Sequence, residues 1–465
     1  MTKVEHCKDD VTSPNIIWIF ADQLRAQALG CNGDPNISTP NIDRLAATGV
    51  NFTAAVSGFP LCCPFRGSLL TSKYPHKCVP GHQYRMPPHL PTIASVFNAK
   101  GYHTAYFGKW HLDGCDEKVE SPTYHIVPRE RRGEFQTWMG YENNNSQWDT
   151  WIHGHYKEDE EISIYRLPAY ETDELTSLLI DHIKKRVRNK PEENSPFFAV
   201  LSVQPPHDPY VAPEEDMQKH NMASITLRKN VPKITRVVEQ ARRELSGYYA
   251  QIRNLDRNVG RIIRTIHEEG LADNTYIMFF SDHGDMHGSH GQFRKTTPYQ
   301  EAIQIPMIIS GGNPEKHGRI GYKTGRFNVP VNHVDIAPTT LGLCGIEKPQ
   351  WMEGTDYSHY RIKGKPPVDE PDSAYLQGVI PTGHYDSIDR AWRGIVTKNG
   401  WKYVCFENVP WQMFNLNEDP YEQANLVHNP FYAHERDKLN DRLAQWIDET
   451  GDEFMLSVKS TFTSG

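Results

Sequence analysis

The chain has 465 residues, 38% of them hydrophobic and 23% charged, with a net charge of −8, the composition of an ordinary folded protein long enough to divide into two domains. Acids and bases alternate along it, a pattern pointing to neither nucleic acid nor an anionic membrane, and its apolar runs fall far short of the ~20 residues that span a bilayer. The eight cysteines lack a CxxC spacing and the first ten residues lack the apolar stretch of a secretory leader, so the expected compartment is the reducing cytoplasm, or the periplasm or exterior if a leader has been trimmed.

In chain order, the first strong element is Asn15–Phe20, a continuous apolar run that ends in Ala21-Asp22-Gln23. Such runs predict strands buried on both faces, as in a parallel sheet covered by helices. A helix is expected from Cys62, because Pro64 suits a first turn and Leu69 and Leu70 continue it. Cys62 then sits where free N–H groups favour an anion, with Arg66 one turn on. A second buried strand, Tyr102–Phe107, runs into Gly108-Lys109-Trp110-His111; Lys109 and His111, two apart, share a side if extended. Residues 113–170 read as a long irregular insertion rich in Trp, Tyr, His and Asn. Its Trp138, Trp148, Trp151, His153 and His155 could line a substrate rim or form a small core of their own.

A third strand, Phe197–Val203, leads to Gln204-Pro-Pro-His207. Leu245, Tyr248, Ile252, Leu255, Val259, Ile262 and Ile266 then recur at helical spacing up to Gly270. The fourth strand, Tyr276–Phe280, delivers Ser281-Asp282-His283-Gly284. Alternating strands and helices predict an α/β sandwich with a mostly parallel sheet over residues 1–345, with ligands bound beyond the carboxyl ends of its strands. After 345 the texture changes. A hairpin over Asp389–Phe406 with an Asn399-Gly400 turn, then a helix over Ala433–Thr450, predict a smaller antiparallel α+β domain over 346–465.

The segment Cys62-Cys63-Pro64-Phe65-Arg66-Gly67-Ser68-Leu69-Leu70-Thr71 resembles the C-x-P-x-R signature of the type I, formylglycine-dependent sulfatases of the alkaline phosphatase superfamily. The register selects Cys62 rather than Cys63; Phe65 stands where the family usually has a small residue. Gly108-Lys-Trp-His-Leu112, Pro206-His-Asp-Pro-Tyr210, Ser281-Asp-His-Gly-Asp285, Phe293-Arg-Lys-Thr-Thr-Pro-Tyr299 and Asp335-Ile-Ala-Pro-Thr-Thr340 look like further blocks of that family in their usual order. The resemblance implies an alkaline-phosphatase-like sandwich and hydrolysis of a sulfate monoester, on a carbohydrate first and an aryl or alkyl group next. It also implies conversion of Cys62 to formylglycine by a maturation enzyme. An aldehyde hydrate offers one hydroxyl to displace the alcohol and a second to release sulfate, which an unmodified thiol lacks.

The same resemblance assigns the metal to Asp22, Gln23, Asp282, His283 and an oxygen of modified Cys62. Gln23 replaces a second aspartate and His283 an asparagine, so calcium is the default ion while the lower charge and the nitrogen ligand admit manganese or magnesium. Arg66, Lys109 and Lys295 are expected around the sulfuryl oxygens and His111 as a base. His207, with Lys295, is expected to bind sulfate or protonate the leaving oxygen. His287 is a candidate for facing substrate, and His290 either frames the metal loop or is structural. The competing activity is a phosphonate monoester hydrolase or phosphodiesterase of the same superfamily. A silent sulfo-sugar binder is disfavoured because Cys62, Arg66, Lys109, His111, Asp282 and Lys295 are all intact. No particular oligomer is implied.

Overall fold

The computed structural model describes residues 13–116, 119–157, 160–188, 195–312, 321–382 and 387–456. Strands β1 (Asn15–Asp22), β2 (Val50–Phe52), β3 (His103–Lys109), β4 (Thr137–Tyr141), β5 (Trp151–Lys157), β6 (Glu160–Arg166), β7 (Phe197–Pro206), β8 (Thr275–Ser281), β9 (Met307–Gly311) and β10 (Gly325–Phe327) form one ten-stranded sheet. Its order is β10-β2-β9-β8-β1-β7-β3-β4-β5-β6. The central run β8-β1-β7-β3-β4 is parallel throughout, and antiparallel pairings are confined to β9, β5 and β6 on either side.

Successive residues of β1 face opposite sides, and both sides are buried, so every residue from Ile16 to Ala21 is apolar. Ile16, Trp18 and Phe20 face a core shared with helices Cys62–Thr71, Ile93–Ala99 and Ile336–Cys344. Ile17, Ile19 and Ala21 face the opposite core, closed by helices Pro40–Thr48, Glu171–Arg188 and Thr235–Glu268. The last of these begins ten residues before Leu245, because Val237 and Ala241 extend the buried stripe among exposed arginines. Its end agrees with the sequence: Gly270 takes the left-handed conformation (φ 71°).

Segment 113–170 is corrected by the structure. It is not irregular throughout, for β4, β5 and β6 extend the sheet through most of its second half, and only Asn143 and Asn145 of its β4–β5 loop reach the cavity described below. Trp138 is fully buried near Tyr106 and Trp110. His153 accepts the Val127 N–H, and His155 lies between the Arg132 guanidinium and the Phe135 carbonyl. Trp148 packs on Tyr170 and Trp151 on Tyr124. The histidines and Trp138 are core of an edge extension, and none of the five lines the cavity described below.

Beyond residue 345 the chain still packs on the large sheet through Met352, Tyr357 and Ile362. A separate antiparallel sheet follows: β11 (Ser373–Gly378), β12 (Trp392–Thr397), β13 (Trp401–Phe406) and β14 (Val409–Asn415). The β12–β13 turn has Gly400 at φ 83°. Helix Ala433–Thr450 covers this sheet with Leu439, Leu443, Trp446 and Ile447, Trp446 stacking on Tyr375. At the seam with the large domain, the β13 residue Lys402 pairs with Glu422 and donates to the Pro298 carbonyl. Both side chains are fully buried. No described helix is long and apolar enough to cross a membrane.

Candidate active site

Parallel strands end on the same edge, so β1, β3, β7 and β8 bring Asp22, Lys109, His207 and Asp282 together although they span 260 residues of sequence. Between β1 and β3 the chain supplies helix Cys62–Thr71, whose first turn points at this edge and has no side-chain cap. Cys62 is 2% exposed. Its Sγ lies 3.5 Å from Asp22 Oδ1, 3.2 Å from His283 Nε2 and 3.3 Å from Lys295 Nζ. Burial and the Asp22 carboxylate push the Cys62 thiol up to about 11.

Cys62, Asp22, Asp282 and His283 each place a ligating atom within 4.8 Å of the others. Asp282 Oδ1 accepts the backbone N–H groups of Gln23 and His283, whereas Oδ2 is buried with no hydrogen bond and has Arg66 at 3.6 Å. The His283 Nδ1 donates to the Gly284 carbonyl, which leaves the Nε2 lone pair facing the carboxylates. Burial and the neighbouring Asp22 charge push Asp282 up to about 7. Two carboxylates, one of them with an unsatisfied buried oxygen, and an imidazole lone pair are a donor set that fits a divalent cation.

Cations ring the acids. Asp22 Oδ2 receives Lys109 Nζ at 2.7 Å and Arg66 at 3.1 Å. Burial opposes its ionisation, yet Lys109, His207, Lys295 and Arg66 together hold its carboxyl well below the usual range. Arg66 also donates to the Lys109 carbonyl and to Ser202 Oγ, which fixes the guanidinium from β3 and β7. Lys295 donates to Gln23 Oε1 and His207 Nε2, both at 2.9 Å. Burial works against that ammonium, but Cys62, Asp22 and Asp282 keep its pKa above the ordinary lysine value. Burial and Lys295 push His207 down to about 4, so it is neutral and accepts through Nε2.

His111 follows β3 at φ 56° on a loop whose next three N–H groups, from Leu112, Asp113 and Gly114, all bind the Glu142 carboxylate. Burial and Lys109 hold it well below the usual histidine range. Gln23, at φ 69°, aims its amide nitrogen at Asp285 Oδ2 (2.6 Å) and its carbonyl oxygen at Lys295. Its backbone N–H, rather than its side chain, touches Asp282.

Two sequence expectations change. His287 does not face substrate: it is buried beneath the site, its ring 4.3 Å from that of Tyr248 and 5.2 Å from that of Tyr210. Helix Thr235–Glu268 supplies Tyr248 and so covers it from the far side. His290 does not frame the cluster of Asp22, Asp282 and His283: its ring stacks on Tyr299 at 4.0 Å, and it groups with Glu301 and Glu422 instead.

The converging residues form the floor of a cavity of about 380 Å³. Cys62, Lys109, His111, His207, Gln23 and Lys295 reach it, as do His82, Asn143, Asn145, Asp208, Gln240, Arg294 and Thr296, which sequence reasoning missed. Asp208 and Arg294 adjoin motif residues and could have been suspected on that ground. The asparagines and Gln240 carry no pattern that sets them apart. Arg294 and Thr296, like Gln23 and His111, adopt positive φ, the kind of backbone strain that collects at functional sites.

A mostly parallel sandwich that gathers acids, cations and a buried helix-terminal cysteine at its strand ends defines an alkaline-phosphatase-like hydrolase. Residues 14–346 match the Sulfatase family model, and residues 288–449 match the C-terminal model of N-sulphoglucosamine sulphohydrolase. An ulvan-active sulfatase of Formosa agariphila is 34% identical, the alignment covering 96% of this chain and 83% of that protein. An endo-4-O-sulfatase of Bacteroides thetaiotaomicron is 29% identical over 89% of this chain and 88% of its own. The crystal structure of a Bacteroides fragilis protein described as the sulfatase yidJ superposes with a TM-score of 0.81 at 27% identity, covering 98% of this chain and 99% of the other. The chain belongs to the sulfatase family.

Proposed function

We propose that this sulfatase hydrolyses a sulfate monoester carried on a saccharide, with formylglycine made from Cys62 as nucleophile and one divalent cation, calcium, held by Asp22, Asp282 and His283 and by the Gln23 side-chain carbonyl oxygen once it exchanges Lys295 for the ion. The observation that carries the reading is the position of Cys62 Sγ, within 3.5 Å of Asp22, His283 and Lys295 on the floor of an open cavity. When present, the formylglycine hydrate supplies an oxygen nucleophile with a second hydroxyl for releasing sulfate, and the cation supplies positive charge that acidifies it.

The chain's own groups do the rest. Lys109 and Arg66 hold Asp22 ionised and place two positive charges behind the position of the sulfuryl oxygens. Lys295 is the proton donor to the leaving oxygen, because its ammonium reaches the cavity and is steered by His207 Nε2. His207 orients Lys295 through a lone pair held in place by its own Nδ1–H on the Asp208 carbonyl. His111, neutral and with Nδ1 unbonded, lines the same cavity and accepts a proton there. Amides of Asn143, Asn145 and Gln240, which line the cavity, suit sugar hydroxyls, and sulfated saccharides accord with the names of the ulvan-active and endo-4-O relatives.

Co-production with a formylglycine-generating enzyme should lower the mass of the Cys62 peptide by about 18 Da. The matured enzyme should turn over sulfated oligosaccharides in preference to an aryl sulfate or an aryl phosphonate. Full activity in Cys62→Ala, or faster turnover of the phosphonate than of every sulfate, would overturn the proposal.

A further inference from the structure

We propose that Cys63, His82 and His111 form a second metal site, selective for zinc, that opens onto the cavity and shuts the enzyme down by capturing His111. Binding at this site stands independently of the catalytic reading; inhibition rests on the role given there to His111.

Cys63 is the residue after Cys62 on the same helical turn. The step of about 100° between successive residues of a helix turns its side chain away from Asp22 and Asp282, towards the loops that carry His82 and His111. Its Sγ and one ring nitrogen of each histidine lie within 4.8 Å of one another. Tetrahedral zinc holds sulfur at about 2.3 Å and nitrogen at about 2.0–2.1 Å, which sets the ligand atoms roughly 3.3–3.6 Å apart. A contraction of at most about 1.2–1.5 Å, within reach of rotation about the histidine side-chain bonds, closes the site. The two rings are already perpendicular, with centroids 5.7 Å apart. His111 Nδ1 is buried with no hydrogen-bond partner, an expensive condition for a polar atom unless a ligand or ion relieves it.

The donor chemistry separates this cluster from its neighbour. Asp22 and Asp282 present hard oxygens suited to calcium, whereas one thiolate and two imidazoles prefer zinc. Adjacent residues of one helix therefore serve two ion sites of opposite preference. Three protein ligands leave a fourth position, and because His82 and His111 line the cavity that position faces the space substrate needs. On binding, the Cys63 S–H bond breaks, a sulfur–zinc bond forms from the same electron pair, and the proton leaves to bulk water; no electrons are transferred.

Cobalt(II) reports the thiolate ligand directly. Full-length chain carrying Cys62→Ala, saturated with calcium, should develop a near-ultraviolet thiolate-to-cobalt charge-transfer band and intense visible bands of tetrahedral cobalt at one equivalent. Zinc should abolish both. Adding Cys63→Ser or, separately, His82→Asn should weaken cobalt binding by at least about 10–100-fold, the loss that even outer partners of a metal site produce. Circular dichroism confirms that each variant is folded, and the two variants guard against failure of either. In the matured enzyme, Cys63→Ser should turn over substrate like the wild type and resist zinc concentrations that inhibit the wild type. No band, or a band unchanged in both variants, refutes the site while leaving sulfate hydrolysis untouched. A band without inhibition by zinc refutes the capture of His111 and, with it, the base role given to that residue.

Discussion

Replacing Lys402 with methionine tests whether the seam between the two sheets is held by a charge pair. Lys402 on β13 and Glu422 are fully buried and paired, and Lys402 also donates to the Pro298 carbonyl at 2.5 Å. Burial pulls the Lys402 ammonium down and pushes the Glu422 carboxyl up, so each depends on the other for its charge. Lys402→Met leaves a buried carboxylate without its cation, a loss of about 3–5 kcal/mol. For a chain of this length that corresponds to a fall of roughly 3–5 °C in Tm. Glu422→Gln added to Lys402→Met removes the stranded charge and keeps an acceptor for the Gln300 N–H that Glu422 binds at 2.7 Å. The double variant should therefore recover most of the loss, because neutral replacement of a buried pair costs little. Scanning calorimetry and urea denaturation on the three proteins measure this. A single variant within about 1 kcal/mol of wild type, or a double variant less stable than the single, would falsify the reasoning.

His333 accepts the Gly58 N–H at Nδ1, and burial pushes it down to about 3. As pH falls below about 6.5 the unfolded chain takes up this proton first, so the stability advantage of wild type over His333→Gln should shrink by about 2.5 kcal/mol between pH 7 and 4.5; a difference that stays constant, or grows, in denaturation at the two pH values contradicts it. His287→Phe should keep its KM and stay within about 1 kcal/mol of wild-type stability, since both ring nitrogens lack hydrogen bonds and the ring packs on Tyr248. An increase in KM of about tenfold or more would return His287 to the substrate. Gly108 sits at φ 110°, and a Cβ there would lie 1.9 Å from the Ser202 carbonyl oxygen. Gly108→Ala should cost more than about 3 kcal/mol and sharply reduce soluble yield, whereas a folded variant with wild-type Tm would show that β3 and β7 can separate.

The strands that build the site were legible because they are buried on both faces, which leaves an uninterrupted apolar run and a sharp polar end. Asp22, Lys109, His207 and Asp282 all lie at or just past such ends. The register of Pro64 and Arg66 likewise singles out Cys62 from the sequence alone. β5 and β6 were not legible: at the sheet edge, polar residues interrupt the apolar ones and charges such as Glu160 and Arg166 face solvent. His155 and Trp138 then look like surface aromatics until Arg132 and Trp110 are seen against them. His287 failed for a related reason, because spacing places a residue on a loop and does not say that Tyr248, some forty residues earlier, closes over it. Six of the seven unforeseen cavity residues come from loops whose paths depend on contacts distant in sequence, and the seventh, Gln240, sits on the first turns of helix Thr235–Glu268 outside its buried stripe.

The order in which the site's parts leave the ribosome has a consequence in time. Cys62 is early in the chain, while Lys295 and the Lys402–Glu422 clamp against Pro298 come hundreds of residues later. At synthesis rates of 5–20 residues per second, roughly 17–68 s separate the emergence of residue 62 from that of residue 402. Over much of that interval the thiol, later sealed to 2% exposure, still lacks Asp282, His283 and Lys295, which complete the site around it, and a reagent needing an extended strand has its readiest access then.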